Sequence, residues 1–230
     1  MSRETLADVE AEIVACRLCP RLVEWRESVA ENPPARFAGQ RYWARPLPAF
    51  GDPSARVLIV GLAPAAHGGN RTGRLFTGDR SGDFLFASLH RTGFSNQGTS
   101  VALDDGLQLY GACISAVVRC APPDNKPLPR ERARCLPYLV REMGLLPHLR
   151  VVVALGAYAW DGAIRAIGED AATATRRPAF GHAAEARVGP YTLLGSYHPS
   201  QQNTFTGRLT PPMLDAVMVR ARDLADRRDS

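Results

Sequence analysis

The run Val57-Leu58-Ile59-Val60 constrains this chain more than any other stretch. It is short, apolar and rich in β-branched residues, and Gly61 ends it. That pattern predicts a buried strand running into a loop. Gly61 to Asp79 then holds five glycines, and an apolar helical pattern resumes at Phe84, Leu85 and Leu89. The order is strand, long glycine-rich loop, helix. In open α/β sheets ligands bind at that end of a strand. The loop carries no GxxxxGK[ST], and no GxGxxG directly after the strand, so it is not a recognisable nucleotide fingerprint. A loop of this length with little structure of its own is usually functional.

Three more apolar runs, at residues 111–120, 151–156 and 189–197, read as strands. Helical spacing is found at residues 4–15, 129–135, 137–146 (restarting at Pro137) and 157–167, and around Met213, Val217, Ala221 and Leu224. Strands alternating with helices predict a three-layer α/β/α sandwich over a central, mostly parallel four-stranded sheet. Residues 1–230 are expected to form a single domain. The loops GLAPAAHGGN, CAPPDNKP and SYHPSQQN each begin where an apolar run stops. Parallel strands end on one edge, so the three loops should build one site.

Hydrophobic residues make up 45% of the 230, enough for a substantial core. The balance of 28 basic to 23 acidic residues permits a polyanionic partner without proving one. Residues 32–53 mix five prolines with Arg36, Arg41, Tyr42, Trp43 and Arg45. Such a segment either stacks on bases or packs as a lid on the core. The charged N-terminal segment lacks a signal-peptide core, and no apolar run is long enough to span a membrane, so a cytoplasmic protein is expected. A monomer is expected as well.

Of five cysteines, four fall into two pairs, Cys16-x2-Cys19 and Cys120-x14-Cys135. Four thiolates suit a structural zinc or a [4Fe–4S] cluster, and residue chemistry alone does not choose between them. Either would tie the N-terminal helix to the sheet. Cys113 sits inside a strand and reads as core.

The run GLAPAAHGGNRTGRLFTGD, the loop CAPPDNKP, the segment SYHPSQQNTFTGR and the four cysteines together resemble the family 5 uracil-DNA glycosylases, the UDGb group. The resemblance covers about residues 10 to 210. It implies an α/β/α fold, a [4Fe–4S] cluster on Cys16, Cys19, Cys120 and Cys135, and excision of uracil and other deaminated bases such as hypoxanthine. The partner it implies is double- or single-stranded DNA containing a deaminated base. It matches Phe76 to the ring that stacks on a flipped base. It matches Asp79 to a water-handling carboxylate, Asn125 to a base-edge contact and His198 to the histidine of the HPS loop. Leu62 and Ala63 fall in the first motif and would contact the base; Leu62-Ala63-Pro64-Ala65 offers no polar side chain there.

The residue types suit that chemistry. An extruded base needs a flat surface and a reader for its edge. Phe76 offers the surface, and an asparagine amide both donates and accepts. A neutral His198 can donate to an oxygen on which charge grows. Asp79 is the first candidate for water handling and His67 the second. Asp79 could equally cap the helix near Ser81, and His67 could anchor its loop. Arg71, Arg74, Arg80, Lys126 and Arg208 flank the three loops and are expected to meet DNA phosphates. Lys126 is the only lysine. A lyase needs an amine to form a Schiff base, so a monofunctional hydrolase is expected. The segment HPSQQNTF is expected to wedge into the gap a flipped base leaves. Two other readings use the same residues: a nucleic-acid-binding module with a structural four-cysteine metal site and no catalysis, and an electron-transfer iron–sulfur protein.

Overall fold

In the computed structural model, which describes residues 4–168 and 177–227, the chain alternates strands and helices. The helices are α1 (Leu6–Ala15), α2 (Pro20–Glu31), α3 (Gly69–Thr72), α4 (Arg80–Arg91), α5 (Pro129–Leu145), α6 (Ala157–Ile167), α7 (Gln201–Phe205) and α8 (Pro211–Asp226). The strands are β1 (Phe50–Gly51), β2 (Val57–Gly61), β3 (Ala112–Ala116), β4 (Val151–Leu155), β5 (Glu185–Val188) and β6 (Tyr191–Ser196). One sheet orders them β1-β3-β2-β4-β6-β5. The four central strands pair in parallel, as expected. The sheet has six strands rather than four, because β1 and β5 add antiparallel edges. Both edges are weak in sequence. β1 is two residues long, and β5 is mostly exposed, with only Val188 buried.

Successive residues of a strand point to opposite faces. Val57 and Ile59 therefore face one layer with Val151, Val153 and Ile114, against Leu85, Phe86 and Leu89 of α4 and Leu214 and Met218 of α8. Leu58, Val60, Val152 and Ala154 face the other, against Leu139 and Met143 of α5 and Trp160, Ala163 and Ile164 of α6. α1 lies outside α5, joined through Val9, Ile13 and Tyr138. The three-layer expectation holds.

The short α3 and α7 form inside segments expected to be loops, and two longer helices also depart from expectation. α2 buries Leu22, Val23, Arg26 and Val29. Its inward stripe includes an arginine, which masks the apolar period. α5 continues through Pro137 instead of restarting there. Proline removes one helical hydrogen bond, and packing of Tyr138, Leu139 and Met143 just beyond it holds the helix together.

Candidate active site

The C-terminal ends of β2, β3 and β6 bring the three loops to one edge of the sheet. A cavity of about 370 Å³ opens between them, lined by Leu62, Ala63, Phe76, Asp79, Asn125 and His198. All six base-site residues named from sequence therefore meet. Ser81, Ser200 and Gln202 line the same cavity; the HPSQQN motif was the one signal for the last two.

Phe76 is half-buried and has φ +53°, a left-handed conformation that costs about 1–3 kcal/mol for a bulky residue. Its ring lies against the end of β2, where a Cβ on Gly61 would come within 2.8 Å of Phe76 Cζ. Its carbonyl crowds α4, where a Cβ on Gly82 would lie 1.8 Å from Phe76 O. The His198 ring stands 5.9 Å from the Phe76 ring, centroid to centroid, tilted by 33°. His198 lines the cavity and is half-buried. Burial pushes its pKa down to about 4, so the imidazole is neutral near pH 7.

Asp79 occupies the N-cap of α4, its carboxylate accepting from the Gly82 N–H at 2.9 Å. The capping role weighed from sequence is real, and Asp79 also lines the cavity. Its Oδ2 is pressed against Gly68, where a Cβ would lie 2.0 Å from that oxygen. Burial raises its pKa, opposed by the Gly82 and Ser81 N–H groups. Asn125 stands at the rim in a 3-10 turn, with φ +56°. Its backbone N–H donates to Pro122 O at 3.2 Å; among the described residues its exposed side-chain amide makes no hydrogen bond, so that donor and acceptor can meet a ligand.

A second cavity of about 590 Å³ adjoins the first across Asp79 and Asn125, and His67 lies there. His67 Nδ1 sits 2.9 Å from the Tyr42 hydroxyl. Burial lowers its pKa, helped by the charges of Arg36 and Arg71. It anchors its loop. Tyr42 is itself buried and Trp43 packs over Gly73, so the 32–53 segment is a lid on the core at these aromatics.

The five basic residues separate. Arg80, Lys126 and Arg208 are exposed around the cavities. Arg71 is half-buried and spends its guanidinium on His67 O, Gln40 Oε1 and Gly78 O, a clamp on the loop. Arg74 corrects the expectation of a DNA contact. It is 3% exposed, pairs with Asp105 at 2.6 Å and donates to Ser100 and Thr77. Burial alone would raise the Asp105 pKa. Arg74 and the N–H groups of Val101, Leu107 and Ala102 instead hold it down to about 2. This buried knot fixes the turn that strains Phe76.

Cys16, Cys19, Cys120 and Cys135 line a separate cavity with Leu22, Val118 and Tyr138. They come from the end of α1, the start of α2, the loop after β3 and the middle of α5. Among the described residues no three His, Cys, Asp or Glu side chains stand close enough to hold a single metal ion. Cys113 is core, as expected.

A model of the uracil DNA glycosylase superfamily matches residues 48–221. The chain belongs to that superfamily. A type-5 uracil-DNA glycosylase of Mycobacterium bovis is 53% identical over 223 residues, covering 96% of this chain and 82% of the relative. One of Thermus thermophilus is 50% identical, covering 98% and 99%. One of Pyrobaculum aerophilum is 44% identical, covering 93% and 91%. All three of the base-site loops lie within the residues that the superfamily model matches. Among the described residues no helix is long and apolar enough to cross a membrane.

Proposed function

We propose that this superfamily member is a monofunctional uracil-DNA glycosylase of DNA repair, acting as a cytoplasmic monomer. The observation that carries the reading is the convergence of Phe76, Asp79, Asn125 and His198 on one cavity. An extruded uracil stacks on Phe76, a contact worth about 1–3 kcal/mol. The Asn125 amide addresses its alternating O and N–H edge. Neutral His198 donates to a uracil oxygen as the glycosidic bond breaks and negative charge moves onto the base. Asp79, between the two cavities, orients water toward the sugar carbon. No lysine lies in the cavity wall, so an abasic site is left intact.

Arg80, Lys126 and Arg208 supply phosphate contacts around the opening. Within HPSQQNTF the side chain suited to the wedge is Phe205, 69% exposed at the end of α7 with the Arg80 guanidinium 5.9 Å from its ring centre. Inserted apolar side chains of this kind unstack a base step.

The four cysteines fit a [4Fe–4S] cluster. They are four sulfur donors lining one apolar cavity, the donor set such a cluster takes. The cluster would cross-link α1, α2, the β3 loop and α5, and it would supply a redox-active centre. Base excision itself uses none of its chemistry. Free uracil released from a uracil-containing duplex, with strand scission only after hot alkali, is the expected result. A DNA adduct trapped by borohydride, or no release of uracil, would contradict the assignment.

A further inference from the structure

Among the described residues three arginines are buried almost completely: Arg26 at 2%, Arg74 at 3% and Arg119 at 1% exposure. A buried cation needs a counter-charge, since an unpaired one is strongly destabilising. Arg74 has Asp105, and Arg119 has Glu142 at 2.6 Å. Arg26 has no carboxylate on its guanidinium among the described residues. Its Nη1 donates to Cys120 Sγ at 3.0 Å and its Nη2 to the Cys16 carbonyl at 3.4 Å, while Nε has no partner. The adjacent Glu27 carboxylate is engaged outside by Arg17. So, among the described residues, the side chain that Arg26 hydrogen-bonds is a cysteine sulfur.

A thiol is neutral, whereas a metal-bound sulfur is a thiolate. Arg26 is placed as the counter-ion of a metallated site, not of free cysteines. The neighbouring Arg119 N–H donates to Cys135 Sγ at 3.2 Å, so two of the four sulfurs receive hydrogen bonds. Such donors and nearby charge set the potential of a cluster and its retention by the protein.

Building on the cluster reading above, we propose that Arg26 is the positioning residue of the iron–sulfur site: it neutralises the Cys120 thiolate from inside the fold, raising the cluster's reduction potential and slowing its loss. A cation beside the cluster favours the form carrying the extra electron. Removing it must therefore lower the potential. Arg134 reaches Cys19 in the same cavity, but from the exposed side, so water screens its charge more than that of buried Arg26.

The test uses the purified full chain and Arg26→Met, Arg26→Gln, Arg26→Lys and Arg134→Gln. Iron and sulfide content, midpoint potential and the rate of iron release to a chelator are measured. Arg26→Met and Arg26→Gln should lower the potential by about 59 mV, a tenfold change for one electron. Iron should leave them about tenfold faster. Arg26→Lys should stay near wild type, and Arg134→Gln should move the potential less than Arg26→Gln. Folded Met and Gln variants that fail to load iron, while Lys loads it, support the same assignment. Loaded Met and Gln variants with wild-type potential and wild-type iron release overturn the role of Arg26 and leave the cluster standing. Wild-type protein without iron overturns the cluster and the Arg26 assignment together.

Discussion

Asp79 caps α4 and, in the proposed mechanism, also handles water, and two substitutions pull these roles apart. Asp79→Ala removes the cap on α4, whose Gly82 N–H then loses its acceptor. Loss of an N-cap costs about 1 kcal/mol, or roughly 2–4 °C in Tm for a chain of this size. Asp79→Asn keeps the cap, because asparagine and aspartate are equivalent there. The negative charge itself adds little to stability: the helix N-terminus favours it, and the larger effect of burial opposes it. So at low pH, where the carboxyl is protonated, Asp79→Asn should leave Tm unchanged while Asp79→Ala lowers it. Both should slow single-turnover release of uracil, by roughly 10²–10⁴-fold if the carboxylate handles the water. The pH profile adds a sign. The folded carboxyl binds its proton more tightly than the unfolded one, so its contribution to stability is full at low pH and is lost as pH rises through the raised value. Relative to wild type, Asp79→Asn should therefore gain Tm as pH rises across the carboxylate range. Activity runs the opposite way, falling as pH drops and Asp79 takes up its proton. Wild-type turnover by Asp79→Asn would remove Asp79 from the chemistry. An equal loss of Tm in Asn and Ala would show that the charge, not the cap, is structural.

Four further outcomes follow from the same geometry. Gly61→Ala places a methyl 2.8 Å from the Phe76 ring, which must turn away; kcat/KM should fall by the worth of the base stack, about 1–3 kcal/mol, and steady-state kinetics checks it. Arg74→Met strands Asp105 in the interior and should cost about 3–5 kcal/mol in a urea melt. By contrast, Arg80→Ala should leave stability intact and flatten the salt dependence of DNA binding, with a slope smaller by about 0.9. His198 is neutral down to about pH 4, so His198→Gln should lower the rate without moving the acid limb of the pH–rate profile.

The centre of the fold is legible because burial on both faces leaves a strong mark. Val57 to Val60 and Val151 to Leu155 have no polar alternation to blur them. The edges β1 and β5 carry no such mark, since one is two residues long and the other faces water. The site was legible through topology. Parallel strands end together, so residues in three separated loops had to meet. The failures share a cause as well. Arg74 in GNRTGRLFTGD looks like any surface arginine, because nothing local shows that Asp105, 31 residues on, is its partner. Arg26 hides α2 in the same way: its counterpart Cys120 is 94 residues distant. Buried charge is set by long-range pairing, which periodicity does not contain.

The glycines of the first loop show what a motif leaves out. Their density suggests a backbone approaching a ligand, yet Gly61 and Gly68 meet protein, as does Gly82 in the first turn of α4. Their missing side chains leave room for the Phe76 ring, for Asp79 Oδ2 and for the Phe76 carbonyl, at 2.8, 2.0 and 1.8 Å from where a Cβ would stand. Positive φ angles occur instead at Gly73 and Gly78. The first three are thus needed for space rather than for conformational freedom. They press one aromatic face and one carboxylate into fixed positions at the end of β2. A side chain at Gly61 or Gly82 would displace Phe76, and one at Gly68 would displace the Asp79 carboxylate. The loop is glycine-rich because the Phe76 and Asp79 side chains are packed against its backbone, and the Gly61→Ala measurement tests that point directly.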